Sequence, residues 1–101
     1  VDDPAIWFAL AALGCIDDNL IDMEGLSQGL ISRLAELDAV EFRARYGVPA
    51  DMVDPHLVLE HVSLKRGCLK SGGEADTERG ANLIIRDFRS GKLGRITLEL
   101  P

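Results

Sequence analysis

Ser63, His61 and Asp54 are the residue types of a hydrolytic triad, in which a carboxylate orients a histidine that activates a serine. Nothing around Ser63 supplies the strained nucleophile turn or the oxyanion donors that acyl transfer requires, so chance occurrence accounts for them. His56 and His61 stand five residues apart, which on a helix turns them about 140° from one another, unlike an i, i+4 metal pair. They read as surface or core-edge histidines. Asp17, Asp18, Asp22 and Glu24 crowd four carboxylates into eight residues, but the glycine and closing glutamate of a calcium loop are missing, and turn and cap duty explains them. Gly67-Cys68-Leu69-Lys70-Ser71-Gly72-Gly73-Glu74 has the glycine spacing of a phosphate-binding loop. It lacks the Lys and Ser/Thr that would touch phosphate and magnesium, and a helix rather than a strand is expected before it. Cys15 and Cys68 have no C-x-x-C spacing and read as reduced thiols buried as small apolar residues. Trp7 and Phe8 lie in an apolar run and are assigned to packing. No catalytic, cofactor-binding or metal-binding residue is assigned.

The chemistry that remains is electrostatic. The net charge of −6 argues at first against nucleic acid, yet the average conceals a split along the chain. Up to Leu64 there are 3 basic and 12 acidic residues; from Lys65 to Arg95 there are 8 basic and 4 acidic. Lys65, Arg66 and Lys70 precede and enter a loop, and Arg79, Arg86 and Arg89 follow at helical spacing, leading to Lys92 and Arg95. Such a surface could neutralise nucleic-acid phosphates. It could also be an ordinary solvated face paired with Asp76, Glu78 and Asp87.

The elements that must position these residues are helical. Asp3-Pro4 is a cap followed by proline at the first helical position, and Ala5 to Leu13 then predicts a central apolar helix ended by Gly14. Asp17-Asp18-Asn19 predicts a turn. Asp22 caps a second helix with Leu26, Leu30, Leu34 and Leu37 on one stripe. Asp38 starts a short third helix through Tyr46, stopped by Gly47 and Pro49. Asp54-Pro55 repeats the cap-plus-proline signal for a helix to Lys65, with a stop at Gly67 and an exposed loop at Gly72-Gly73. A last helix runs from Asp76 or Thr77 to Gly91, with Ala81, Ile84, Ile85 and Phe88 on one face and Arg79, Asn82, Arg86 and Arg89 on the other. Ile96 to Leu100 alternates as an extended tail, but one strand makes no sheet.

The expected fold is all-α: one domain over residues 1–101, a small bundle of about four to five helices with an extended C-terminal tail. With 101 residues, 47% of them hydrophobic, it can bury a modest core. The run Ala5 to Ile16 is shorter than the ~20 residues that cross a bilayer, and no basic stretch precedes it, so neither a membrane span nor a signal peptide is expected. Val1-Asp2-Asp3-Pro4 reads as a cut within a longer chain or a processed end.

The string Lys65-Arg66-Gly67-Cys68-Leu69-Lys70-Ser71-Gly72-Gly73-Glu74, then Asp76, Ile85-Arg86-Asp87-Phe88-Arg89 and Gly91-Lys92-Leu93-Gly94-Arg95, resembles the C-terminal end of the ribosome biogenesis GTPase A (RbgA/YlqF-type) family of circularly permuted GTPases. The resemblance extends upstream through Leu10 to Ile16, Asp17-Asp18 and Arg45-Tyr46-Gly47. It implies a helical C-terminal domain that contacts large-subunit rRNA on a precursor ribosomal particle in the cytoplasm. The GTPase domain, with its GTP and magnesium, would lie upstream in cis, since its motifs have no counterpart here. The RNA-contact role passes to the matching Lys65, Arg66, Lys70, Arg86, Arg89, Lys92 and Arg95; Arg79 is added from the helical wheel alone. The alternative is a protein-interaction module that docks a ribosomal protein or the GTPase domain through the acidic half.

Overall fold

Three helices of the computed structural model start where a carboxylate accepts one of the backbone N–H groups that a helix start leaves without partners. The structure describes residues 8, 11–36 and 40–93. Asp22 Oδ1 accepts from the Gly25 N–H at 3.1 Å ahead of α1, Met23–Glu36. Asp54 Oδ1 accepts from His56 N–H at 2.9 Å ahead of α3, Pro55–Lys65, whose first residue is the expected proline. Asp76 Oδ1 does the same for Arg79 at 3.1 Å ahead of α4, Thr77–Arg89. The short α2, Val40–Tyr46, ends on Gly47 at φ +64°, a left-handed position that costs glycine little. The turn expected at Asp17-Asp18-Asn19 is a 3-10 turn, Asp18–Leu20, capped by Asp17.

The core lies between α1, α3 and α4, which pack pairwise against one another. Leu26, Leu30 and Leu34 of α1 are buried on one stripe, as the periodicity predicted. They meet Val58, Leu59 and Val62 of α3 and Ala81, Ile84, Ile85 and Phe88 of α4. The short α2 adds Phe42 and Tyr46, whose rings meet edge to face at 5.1 Å. Two glycines admit close neighbours. A Cβ on Gly80 would run into the buried Ser63 hydroxyl, and one on Gly29 would sit 2.7 Å from the Phe8 ring.

The all-α expectation holds: among the described residues there are four α-helices and no strand. In the apolar segment only Phe8, Ala11 and Ala12 are described as helical, with Ala11 and Ala12 fully buried and the chain turning at Gly14. The cap at Asp3-Pro4, Leu37, the start at Asp38 and the extended tail lie outside the described residues. One expectation is overturned. Cys68 is buried, but Cys15 is exposed, because Gly14 carries the chain out of the helix before the thiol can enter the core.

The segment between α3 and α4 is more ordered than a plain loop. Lys70 N–H donates to Glu74 O and Asp76 N–H to Cys68 O, both at 2.7 Å, and Leu69 and Ala75 form an antiparallel bridge. Gly72 and Gly73, at φ +97° and +88°, close this hairpin-like turn. Its tip carries Lys70 and Ser71, both exposed.

Candidate nucleic-acid interface

The amphipathic pattern of α4 decides which side chains face water. With Ala81, Ile84, Ile85 and Phe88 turned into the core, Arg79, Asn82 and Arg86 are left on the exposed face. Arg79 and Arg86 are two turns apart on nearly the same line of that helix. Lys65 in the last turn of α3, Lys70 in the glycine turn and Lys92 beyond α4 are likewise exposed. Arg95 lies outside the described residues.

Two of the predicted basic residues are bound into the fold. Arg89 Nε and Nη2 donate to Ala12 O and Ala11 O at 3.1 and 2.8 Å, satisfying carbonyls at the end of the first helical segment. Its Nη1 and Nη2 grip the Asp18 carboxylate at 2.9 and 2.8 Å. That bidentate bond, the largest influence on Asp18, holds its carboxyl below the usual carboxylate range. Arg66, exposed after α3, donates from Nη2 to Arg45 O at 2.8 Å and stands with Cζ 5.0 Å from the Tyr46 ring centroid.

Tyr46 and Asp87 form the buried polar centre of this region. Asp87 is 2% exposed and accepts from Tyr46 Oη at 2.6 Å and from Arg45 Nε at 3.1 Å, both onto Oδ2. Burial alone would push its carboxyl up, but the two hydrogen bonds and the charges of Arg45 and Lys92 prevail and hold it below the usual range. Tyr46 moves the other way: burial and its hydrogen bond to Asp87 push the phenol well up, so it stays a donor. Residue separation hides this centre from the sequence. Arg45-Tyr46-Gly47 and the Asp87 string each belong to the family resemblance, but only the packing of α2 on α4 brings them together.

Other candidates have structural jobs. The Ser63 hydroxyl is buried and donates to Leu59 O at 2.8 Å, and His61 Nε2 lies 2.9 Å from Gly47 O, so the triad types do not assemble. In the acidic cluster Asp17 and Asp22 cap as expected, whereas Asp18 holds Arg89 and Glu24 accepts from the Thr77 hydroxyl at 2.9 Å, two tertiary contacts that turn and cap duty did not anticipate. Asp18, Asp22, Glu24 and Glu78 nevertheless line one groove together with Ile21, Met23 and Asn82.

The arrangement is a small helical domain: a capped three-helix core that presents lysines and arginines on one helix face and one glycine turn. Over nearly its whole length the chain is similar to ribosome biogenesis GTPase A, as the sequence strings indicated. It is 27% identical over 103 residues to the Bacillus cereus protein and 30% identical over 100 residues to that of Bacillus pumilus. Each match takes in 99% of this chain but only 34% and 36% of the relative, so the chain spans about a third of the length of these curated relatives. An uncharacterized GTP-binding protein of Methanocaldococcus jannaschii is 34% identical over 71 residues, which is 70% of this chain and 19% of that protein. No family model matches the chain. Among the described residues, no helix is long and apolar enough to cross a membrane.

Proposed function

We propose that this chain is a ribosome-binding domain that serves, next to an upstream GTP-binding domain in the same protein, in assembly of the large ribosomal subunit in the cytoplasm. The observation that carries the reading is the match to ribosome biogenesis GTPase A across 99% of the chain, read together with the exposed Lys65, Lys70, Arg79, Arg86 and Lys92. These cations neutralise rRNA phosphates on a precursor particle, and the helical scaffold orients the GTPase domain for switch-coupled release. The domain contributes binding energy, and the bond chemistry, with its GTP and magnesium, belongs to the upstream domain. Contacts of this kind carry little base specificity and fall steeply with salt.

The test is binding of large-subunit rRNA fragments and precursor particles by the chain with Lys70, Arg79 and Arg86 all changed to Glu. Arg89 is left alone because it is bound to Asp18 and to carbonyls of the fold. A loss of roughly tenfold or more at moderate salt is expected. Unchanged binding rejects the reading.

A second reading is favoured by the acidic groove between the 3-10 turn, the start of α1 and the exposed face of α4. There a basic segment of a ribosomal protein or of the GTPase domain would dock, without direct RNA contact. Saturable binding of such a protein by a chain that ignores rRNA selects it.

A further inference from the structure

We infer that Arg45 and Arg66 form a preassembled clamp for a single backbone phosphate of RNA, with Tyr46 and Asp87 as the residues that position it. The inference rests on the RNA-binding reading above and names where on the domain one phosphate is held.

The two arginines come from different elements, Arg45 from α2 and Arg66 from the end of α3, yet both guanidiniums are held at one aromatic ring. Arg66 Cζ lies 5.0 Å and Arg45 Cζ 5.9 Å from the Tyr46 centroid. Each is tethered a second time: Arg66 through its Nη2 to Arg45 O at 2.8 Å, Arg45 through its Nε to Asp87 Oδ2 at 3.1 Å. The ring itself is fixed by its hydroxyl on the same carboxylate oxygen, which ties the clamp to α4.

A guanidinium has five N–H groups. The bond to Asp87 uses Nε of Arg45 and the bond to the Arg45 carbonyl uses Nη2 of Arg66, so each fork keeps further N–H groups beyond these bonds. Arg66 is exposed, and the Arg45 side chain keeps 30% of its surface in contact with solvent. Lys65 lies alongside, with its Cε 3.8 Å from the point where a Cβ on Gly47 would stand. Three cations therefore stand beside Tyr46 and Gly47, in a chain that is acidic overall.

The geometry suits a phosphate better than a diffuse cationic surface would. Planar donor forks match the paired oxygens of a phosphate, and their rotamers are already ordered before RNA arrives, so little side-chain entropy is lost on contact. Neither property belongs to Lys70 or Lys92, which act as point charges.

Two variants separate positioning from plain electrostatics, in titrations of the whole chain against transcribed large-subunit rRNA at several salt concentrations. Arg66→Lys keeps the charge but loses the fork and the stacking, and a loss of about fivefold or more is expected. Asp87→Asn removes a negative charge, so electrostatics alone predicts tighter binding. Positioning predicts weaker binding, because Arg45 loses its charged anchor. Thermal unfolding of each variant shows whether the fold persists; should Asp87→Asn not fold, Arg45→Lys replaces it, with the same expected loss. RNA binding by the wild type that is matched by Arg66→Lys, or exceeded by Asp87→Asn, overturns the clamp and leaves the RNA-binding reading standing. A wild-type chain that binds no rRNA overturns both.

Discussion

Asp87 is the residue through which three helices share one polar contact, since its carboxylate lies in α4 and its donors, Tyr46 and Arg45, lie in α2, the latter bonded in turn by Arg66 after α3. A carboxylate that is 2% exposed is tolerated only because both donors are present. Removing the hydroxyl in Tyr46→Phe leaves Asp87 with one donor fewer, and a loss of about 2 kcal/mol is expected in urea or thermal unfolding, the range for a hydrogen bond to a charged group. The pH dependence follows from the direction of the shifts. Asp87 and Asp18 both hold their protons less tightly in the fold than an unfolded aspartate, whose pKa is about 3.9. Their stabilisation is therefore complete above about pH 4 and is lost as the pH falls through the depressed folded values. Unfolding midpoints taken from neutral pH down to about pH 3 should fall more for the wild type than for Asp87→Asn, which has lost one of the two groups. Equal slopes would remove Asp87 from the acid response.

Helix ends and helix crossings carry the argument at the next scale. The caps at Asp22, Asp54 and Asp76 and the stop at Gly91 follow from residue type, and each stands where the sequence places it. The crossing of α3 and α4 is different, because its closeness depends on Gly80 lying against Ser63. Gly80→Ala tests which effect wins. Alanine improves helix propensity by about 1 kcal/mol, but the added methyl would strike the Ser63 hydroxyl, with the Ser63 backbone Cα only 3.3 Å away. Overpacking of this kind costs about 1–3 kcal/mol, so a net loss of stability is expected. Ser63→Ala in the same chain should recover part of it, since the hydroxyl is the nearest obstacle. Full stability of Gly80→Ala alone would contradict the crossing.

Across the whole molecule, the basic residues divide by what they touch. Arg86 is exposed on α4, whereas Arg89, one turn further on, joins the end of the first helical segment and the 3-10 turn to the rest of the fold. Arg89→Ala should destabilise the domain, about 1 kcal/mol of it from the lost bonds to the Ala11 and Ala12 carbonyls, and change RNA affinity little at temperatures where it is folded. Arg86→Ala should leave the unfolding midpoint nearly unchanged while weakening RNA binding and reducing its salt slope by about one unit. Paired measurements of unfolding and binding check the division; equal behaviour of the two variants refutes it.

The sequence by itself determined the elements, because caps, prolines, glycine stops and helical periodicity act within a few residues. It also determined that α4 would have a basic face, and the strings around Lys65–Glu74 and Ile85–Arg89 carried the likeness to ribosome biogenesis GTPase A. Local pattern had no hold on the relations between elements. The wheel put Arg79, Arg86 and Arg89 on one side, but only packing showed that Arg89 reaches Asp18, 71 residues away. It also brought Arg45 and Tyr46 to Asp87, across 42 and 41 residues. Such pairings depend on how the faces of separate helices dock, and that docking is decided by the shared core rather than by any spacing along the chain. Cys15 shows the same lesson at smaller range: its type favours burial, and the turn at Gly14 leaves it in solvent.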